Sequence, residues 1–398
     1  MTGPVSLPAL FGRRIHVAGS ASDHTPAVRR AWAHDFVRAV TSGVIARGGG
    51  LVLAAGKEPV PPQEPSPAPS LVFDWTALSE AEAALRSDGN AWPTWAGPRI
   101  VVATSEKADR EIPPARRDLW TRLVSRSDVE VLGILAGARA AAMVRRRQAR
   151  HGAALLALGG GTGVEHLAEL YRARGRSVVP LDLHLGASRD DGTGGASRIS
   201  AEARARPEDF VVLSRTSTGR AGGMLAAMAT RNGEAAVDAV AGAALRLLES
   251  LAAPQAFYVR LLNREHGAFP QVERFFRDVV DTVVPERCHE RREVGTDPSS
   301  EGFMNVEIFT RLHHADLVIA DITGDRPNCF IELGYALRGD TPVLLTARRG
   351  TQPPFDGDKV PCHFWDPDRS LDDEREDFRS FWDRNYSRGP LVNAADRG

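Results

Sequence analysis

The stretch ADLVIADITGDRPNCFIELGYAL, residues 315–337, decides the fold class. Its apolar run Leu317–Ala320 reads as a buried strand that ends on an acid, Asp321. A tight polar loop follows, then a helix that opens with Glu332. Strand, turn and helix in that order form one step of a parallel α/β sheet. An acid at the end of the strand and another in the next helix's first turn then face one crevice. Open α/β sheets bind ligands in that crevice.

Working outward, the same alternation extends in both directions. AFYVRLL (256–262) reads as a strand, followed by a helix over 271–284, a linker over 290–301 and a helix over 302–314. After the opening stretch come the strand TPVLLT (341–346) and a charged, Trp-bearing helix (370–386). Upstream, RRIHVAGSA (13–21) reads as a strand, 34–46 as a helix and LVLAAG (51–56) as a second strand. The Pro-rich run 59–70 has no core-forming pattern and reads as an exposed loop. Further strands are predicted at 71–75, 99–104, 129–135, 154–161 and 177–183, with helices between them, and a helix over 234–252 closes this pattern. The spacing predicts an α/β protein of two Rossmann-like or flavodoxin-like domains, each a parallel sheet covered by helices. The expected division is 1–252 and 253–398, at Ala253-Pro254.

A chain of 398 residues is long enough to bury two cores, and 42% hydrophobic with 25% charged residues is an ordinary soluble composition. The 50 basic and 51 acidic residues leave a net charge of -1, which predicts no strong attraction to nucleic acid or anionic membranes. Cys288, Cys329 and Cys362 are scattered, a pattern of neither a disulfide framework nor a metal site. No apolar run approaches the roughly 20 residues a bilayer span needs, and the first residues lack the order of a signal peptide. A cytoplasmic protein is expected, with no membrane partner.

Two features of the first half suggest ligand binding. The first strand runs into Gly19-Ser20-Ala21-Ser22, where small residues let backbone N–H groups approach an anion. In ALLALGGGTGVEHLAEL (154–170), a strand passes through Gly159, Gly160, Gly161, Thr162 and Gly163 into a helix that carries Glu165. Glycines permit positive φ and close approach, and the start of the helix offers unpaired N–H donors. A phosphate or nucleotide suits that turn; a tight turn without a ligand is the plainer alternative.

These motifs resemble the SMF/LOG-like (SLOG) Rossmann-type domains. The likeness rests on the leading strand with its Gly-Ser loop, on ARGGGLVLAAG (46–56) and on LALGGGTGVEHL (156–167), and covers roughly residues 10–250. It is nearest to the subgroup found beside TIR-type effector domains in bacterial defence proteins, whose loop GASRDDGTGGASRI (186–199) also resembles. Some members are phosphoribohydrolases with a PGGxGTxxE turn. Here Leu158 replaces the proline, Thr162-Gly163 reverses the Gly-Thr order, His166 stands in place of the final acid and Glu165 falls one position early. The resemblance therefore implies a nucleotide-sensing domain, with a phosphoribohydrolase centred on Glu165 as the alternative.

The second half resembles the nucleoside 2-deoxyribosyltransferase-like superfamily, related to TIR NAD hydrolases, through ADLVIADITG, RPNCFIELGYAL and TPVLLT. The resemblance covers residues 254–350. It implies that Glu332 is the nucleophile or oxocarbenium stabiliser at a sugar C1′, because a carboxylate offsets the charge that builds when an N-glycosidic bond breaks. Asp321 is then expected to bind sugar hydroxyls or act on the departing base, and Asn328 to contact base or ribose. Transferases of the superfamily carry an acid six residues before the glutamate; here that position is Arg326, which favours hydrolysis of a phosphate-bearing substrate. The two resemblances together imply a nucleotide-regulated N-glycosidase acting on NAD or a related nucleotide. They imply a homo-oligomer, no required cofactor, and a role in antiphage defence. A non-catalytic nucleotide-binding scaffold remains the rival reading.

Overall fold

Continuous runs of Val, Ile, Leu and Ala become strands here because both of their faces are covered, which all-parallel sheets require. The computed structural model describes residues 8–61, 68–87, 97–186, 194–214, 217–229, 235–287, 289–292, 306–338, 341–353 and 360–386. The chain divides into two units, Met1–Ala252 and Ala253–Gly398.

In the first unit the elements run β1 (Arg14–Ser20), α1 (Ala27–Ala46), β2 (Gly50–Ala54), α2 (Asp74–Ser87), β3 (Ile100–Ser105), α3 (Glu106–Arg110), α4 (Pro114–Val124), β4 (Val129–Ile134), α5 (Ala140–His151), β5 (Ala154–Gly159), α6 (Thr162–Arg172), β6 (Ser177–Leu181), α7 (Ala196–Ala205), α8 (Ala221–Ala226) and α9 (Val237–Ser250). The six strands lie in the order β4-β3-β2-β1-β5-β6, all parallel. β5 is buried along its whole length and pairs with β1 from Ile15–Ala154 to Ser20–Gly159. The order of the strands reverses between β1 and β5, so the ligand-binding crevice of this sheet opens at the ends of those two strands.

The second unit runs β7 (Gln255–Val259), α10 (Phe269–Phe275), a π-helical turn, α11 (Asp281–Glu286), β8 (Glu290–Arg292), α12 (Val306–His314), β9 (Leu317–Asp321), α13 (Pro327–Arg338), β10 (Val343–Arg348), β11 (Cys362–Trp365) and α14 (Leu371–Asn385). Its five parallel strands are ordered β11-β10-β9-β7-β8. This is the flavodoxin-like order, and its reversal lies between β7 and β9. The α/β class with parallel sheets is as the sequence predicts.

Four local expectations change. The predicted strand over 71–75 is a single bridge, Ser20–Val72, followed directly by α2. Trp75, Leu78, Glu82 and Leu85 are buried at helical spacing, and the half-buried Asp74 carboxylate anchors the helix by accepting from the Ala54 N–H at 3.0 Å. The predicted linker at 290 begins instead as β8, three charged residues on a sheet edge, where Arg291 is exposed. Short β11 forms the opposite edge. Finally, α13 opens at Pro327, whose ring suits a first helical position, so Glu332 stands in the second turn rather than the first. Cys288, part of the 186–199 loop and most of the 290–301 segment lie outside the described residues.

Candidate functional sites

In the second unit, β9 delivers Asp321 to the sheet's carboxyl edge, but not to its surface. Asp321 is 0% exposed. Its Oδ2 accepts from Thr346 Oγ1 and Trp365 Nε1, both at 2.8 Å, and its Oδ1 from the Thr323 N–H at 2.9 Å. Burial raises its pKa, and these hydrogen bonds oppose the rise. The carboxylate thus ties the ends of β9, β10 and β11 together and sets the loop above it. Thr323 extends the tie by accepting from the Arg348 N–H at 2.8 Å.

That loop turns through Gly324 at φ +87° and Asp325 at φ +50°. A Cβ on Gly324 would lie 2.8 Å from His266 Cε1 and 3.3 Å from Leu261 Cδ2, so the loop after β9 rests on the segment after β7. This contact puts His266 in the crevice between the two strands, a residue sequence reading missed. The signal available was its place a few residues beyond a buried strand. The Ala268 N–H donates to His266 Nδ1 at 3.1 Å, so Nε2 is the donor of the neutral ring. Arg260 is otherwise employed: it is buried, paired with Glu273 and lies over the Phe276 ring at 5.1 Å.

Glu332 differs from Asp321 in every respect. It is half-buried and has no hydrogen-bond partner among the described residues. Burial raises its pKa, and the positive charge of Arg326 opposes that rise. Cys329 lies within the field of both acids; burial first, then Glu332 and later Asp321, push its thiol up to about 12. Such a thiol is no nucleophile. Asn328 is exposed in the first turn of α13.

In the first unit, Gly19 lets β1 and β5 converge, since a Cβ there would lie 1.6 Å from Leu158 O. The turn after β5 then needs glycine twice over, with φ +55° at Gly159 and +71° at Gly160, and the Gly160 N–H donates to Ser20 O at 2.7 Å. Gly161 precedes α6, whose start has no side-chain cap, so the first-turn amides around exposed Thr162 and Gly163 remain open to an anion. The Ala21 and Ser22 amides, expected to face a ligand, instead donate to Leu71 O and Leu185 O, both at 2.8 Å. Glu165 is fully engaged: it accepts from the Gly195 N–H at 2.9 Å and from Arg198 Nη2 at 2.7 Å. Arg145 reaches the turn from α5, donating through Nε to His166 Nδ1 at 3.0 Å. No carboxylate pairs with it among the described residues, and burial lowers its pKa.

Among the described residues no cluster of His, Cys, Asp and Glu is arranged to hold a metal ion. No helix among them is long and apolar enough to cross a membrane.

The fold defines a doubly wound α/β protein, with a glycine-rich turn after β5 in one unit and a pair of acids, Asp321 and Glu332, in the other. Residues 10–242 match the family described as ATP nucleosidase Cap17-like, N-terminal, and the chain belongs to that family. The chain is also similar to ATP nucleosidase Cap17 of Escherichia coli (strain KTE188), with 33% identity over 183 residues, 45% of this chain and 34% of that protein. A second ATP nucleosidase Cap17 from Escherichia coli matches to the same extent. The chain spans about a third of the length of the curated relatives it matches. The family match falls within the first unit, and the second unit lies beyond it.

Proposed function

We propose that this protein hydrolyses the N-glycosidic bond of an adenine nucleotide, ATP or NAD, in the second unit, under control of a nucleotide bound by the first. One observation carries the reading: Glu332 is a half-buried carboxylate with no hydrogen-bond partner among the described residues, beside the cation Arg326, on the helix that follows β9. Its rival, Glu165, is closed by an ion pair and an amide. The naming of the relatives as ATP nucleosidases supports the reaction class.

Breaking the bond between ribose C1′ and the base nitrogen leaves the electron pair on the base and positive charge on the ribose ring. The Glu332 carboxylate offsets that charge or captures C1′, water adds there, and the proton that the water releases goes to the departing adenine, or to solvent when nicotinamide leaves already neutral. Arg326 holds a substrate phosphate, while His266 and Asn328 supply hydrogen bonds to base or sugar. Asp321 acts from beneath, by fixing the loop that carries Arg326. In the first unit, the open amides of α6 and Arg145 take the phosphates of the controlling nucleotide. Removing a central nucleotide only when a signal is bound suits a cytoplasmic defence effector.

The test is to incubate the full-length protein with ATP or NAD, alone and with a panel of nucleotides, and to separate the released base by chromatography. Base release that falls on the order of a thousandfold in Glu332→Gln is the expected result. Release that survives this change intact would sink the assignment.

A further inference from the structure

A cavity of about 370 Å³ opens at the carboxyl end of β6, between α7 and α8. Leu181, Leu225 and Met228 give it apolar walls, and Asp182, His184 and Arg204 stand on its polar side. The volume suits a nucleoside-sized ligand. Asp182 is 13% exposed at its side chain, and its two oxygens are treated differently. Oδ1 accepts from Ser197 Oγ at 2.7 Å and from the His184 N–H at 3.2 Å. Among the described residues Oδ2 has only Arg204 Nη2 at 3.8 Å, beyond hydrogen-bond length, so it has lone pairs to offer a ligand. His184 holds this turn at φ +48°, a conformation that side chains other than glycine and asparagine rarely adopt.

The position in the sheet gives the cavity a meaning. β5, the glycine turn, α6 and β6 form one βαβ unit whose strands pair in parallel from Ala154–Ser177 to Leu158–Leu181. Asp182 follows the second strand, about twenty residues beyond the glycines, where dinucleotide-binding folds place the acid that holds a ribose. The start of α7 joins the two places. Gly195 packs so tightly on the turn that a Cβ would lie 1.9 Å from Gly160 O, and Ser197, two residues on, donates to Asp182. A second phosphate is an unsuitable occupant, since the carboxylate repels it and the charge of Arg204, 3.8 Å from Asp182 Oδ2, is already answered by that carboxylate. A hydroxyl pair is suitable.

We infer that this cavity is a nucleoside pocket, in which Asp182 accepts the ribose hydroxyls of a ribonucleotide and the Leu225–Met228 wall receives its base. The inference rests on the proposal that the first unit binds a nucleotide at the glycine turn, and it adds that the ligand must be a ribonucleotide with its 2′-hydroxyl free.

The experiment uses the full-length protein carrying Glu332→Gln, so that nothing is turned over. Amide hydrogen exchange of α7 and α8 is titrated with ATP, 2′-deoxy-ATP and inorganic tripolyphosphate, which confines the readout to the first unit. ATP should protect both helices at about tenfold lower concentration than 2′-deoxy-ATP. Asp182→Asn should abolish that preference. Ala226→Phe, at an exposed position on the cavity wall, should weaken ATP at least tenfold and leave tripolyphosphate unchanged. Equal protection by ATP and 2′-deoxy-ATP, or indifference to Ala226→Phe, overturns the pocket while tripolyphosphate binding upholds the glycine turn. Protection by none of the three overturns both.

Discussion

Glu332 and Asp321 are both acids at the carboxyl edge of one sheet, and their surroundings assign them opposite work. Asp321 accepts three protein hydrogen bonds and is sealed from solvent, so it organises. Glu332 accepts none among the described residues, so its lone pairs are available to a developing cation. The same contrast makes the pH dependence testable. Burial raises the Glu332 pKa and Arg326 opposes it. Arg326→Ala removes the opposition, so the carboxylate becomes harder to ionise. The acid limb of the kcat/KM profile for base release should therefore move to higher pH in Arg326→Ala. A limb that stays in place, or moves down, removes Glu332 as the ionising group.

At the scale of elements, α2 offers a prediction about stability. Asp74 is half-buried where α2 meets the end of β2, and the desolvation of its carboxylate there raises its pKa from 3.8 to about 6. An acid with a raised folded pKa favours the folded state while protonated, below about pH 4, and the advantage is lost as pH climbs through 6. The full penalty above that is about 3 kcal/mol. Asp74→Asn keeps an oxygen for the Ala54 N–H and cannot ionise. It should raise the melting temperature by several degrees at pH 8 and by nothing at pH 4, as scanning calorimetry would show; an offset constant across pH refutes the burial argument.

The elements also show what the chain made legible. β5 and β9 could be read because their buried positions, Ala154–Leu158 and Leu317–Ala320, leave plain apolar runs. α2 could not, because Leu71-Val72-Phe73 is equally apolar, and the Asp74 carboxylate, which starts the helix there, declares itself only in three dimensions. β8 was hidden by its charges. The glycine turn was legible as a motif, whereas its consequence for Ser22 was not, since the acceptor of that amide, Leu185 O, is remote in sequence. His266 and Asp182 escaped for a related reason: each acquires meaning from the neighbouring strand, not from its own surroundings in the chain.

On the scale of the whole molecule, each unit places its site where its strand order reverses, and the two sites have opposite electrostatic character. The glycine turn has the cation Arg145 beside it, which suits the anion proposed there, while Glu332 offers the negative charge that the proposed reaction needs. In the proposed reading, the controlling nucleotide and the substrate would each have a unit of their own. The resemblance to oligomeric effectors makes the assembled state the natural place for them to communicate. Light scattering of the 398-residue chain in the presence of ATP should give at least twice its mass of 43.0 kDa. A monomer with full base-release activity would show that assembly is not needed.

The knot at Asp321 has an evolutionary consequence. One carboxylate satisfies a hydroxyl on β10, an indole on β11 and a backbone amide in the loop, so no single member can be exchanged without orphaning another buried polar group. Trp365 is bound further by stacking on Phe275, with ring centroids 4.8 Å apart. Thr346, Trp365 and Asp321 should therefore be inherited as a set. Lineages that have abandoned the acid should have lost the tryptophan and the threonine as well, and would carry an apolar plug in their place.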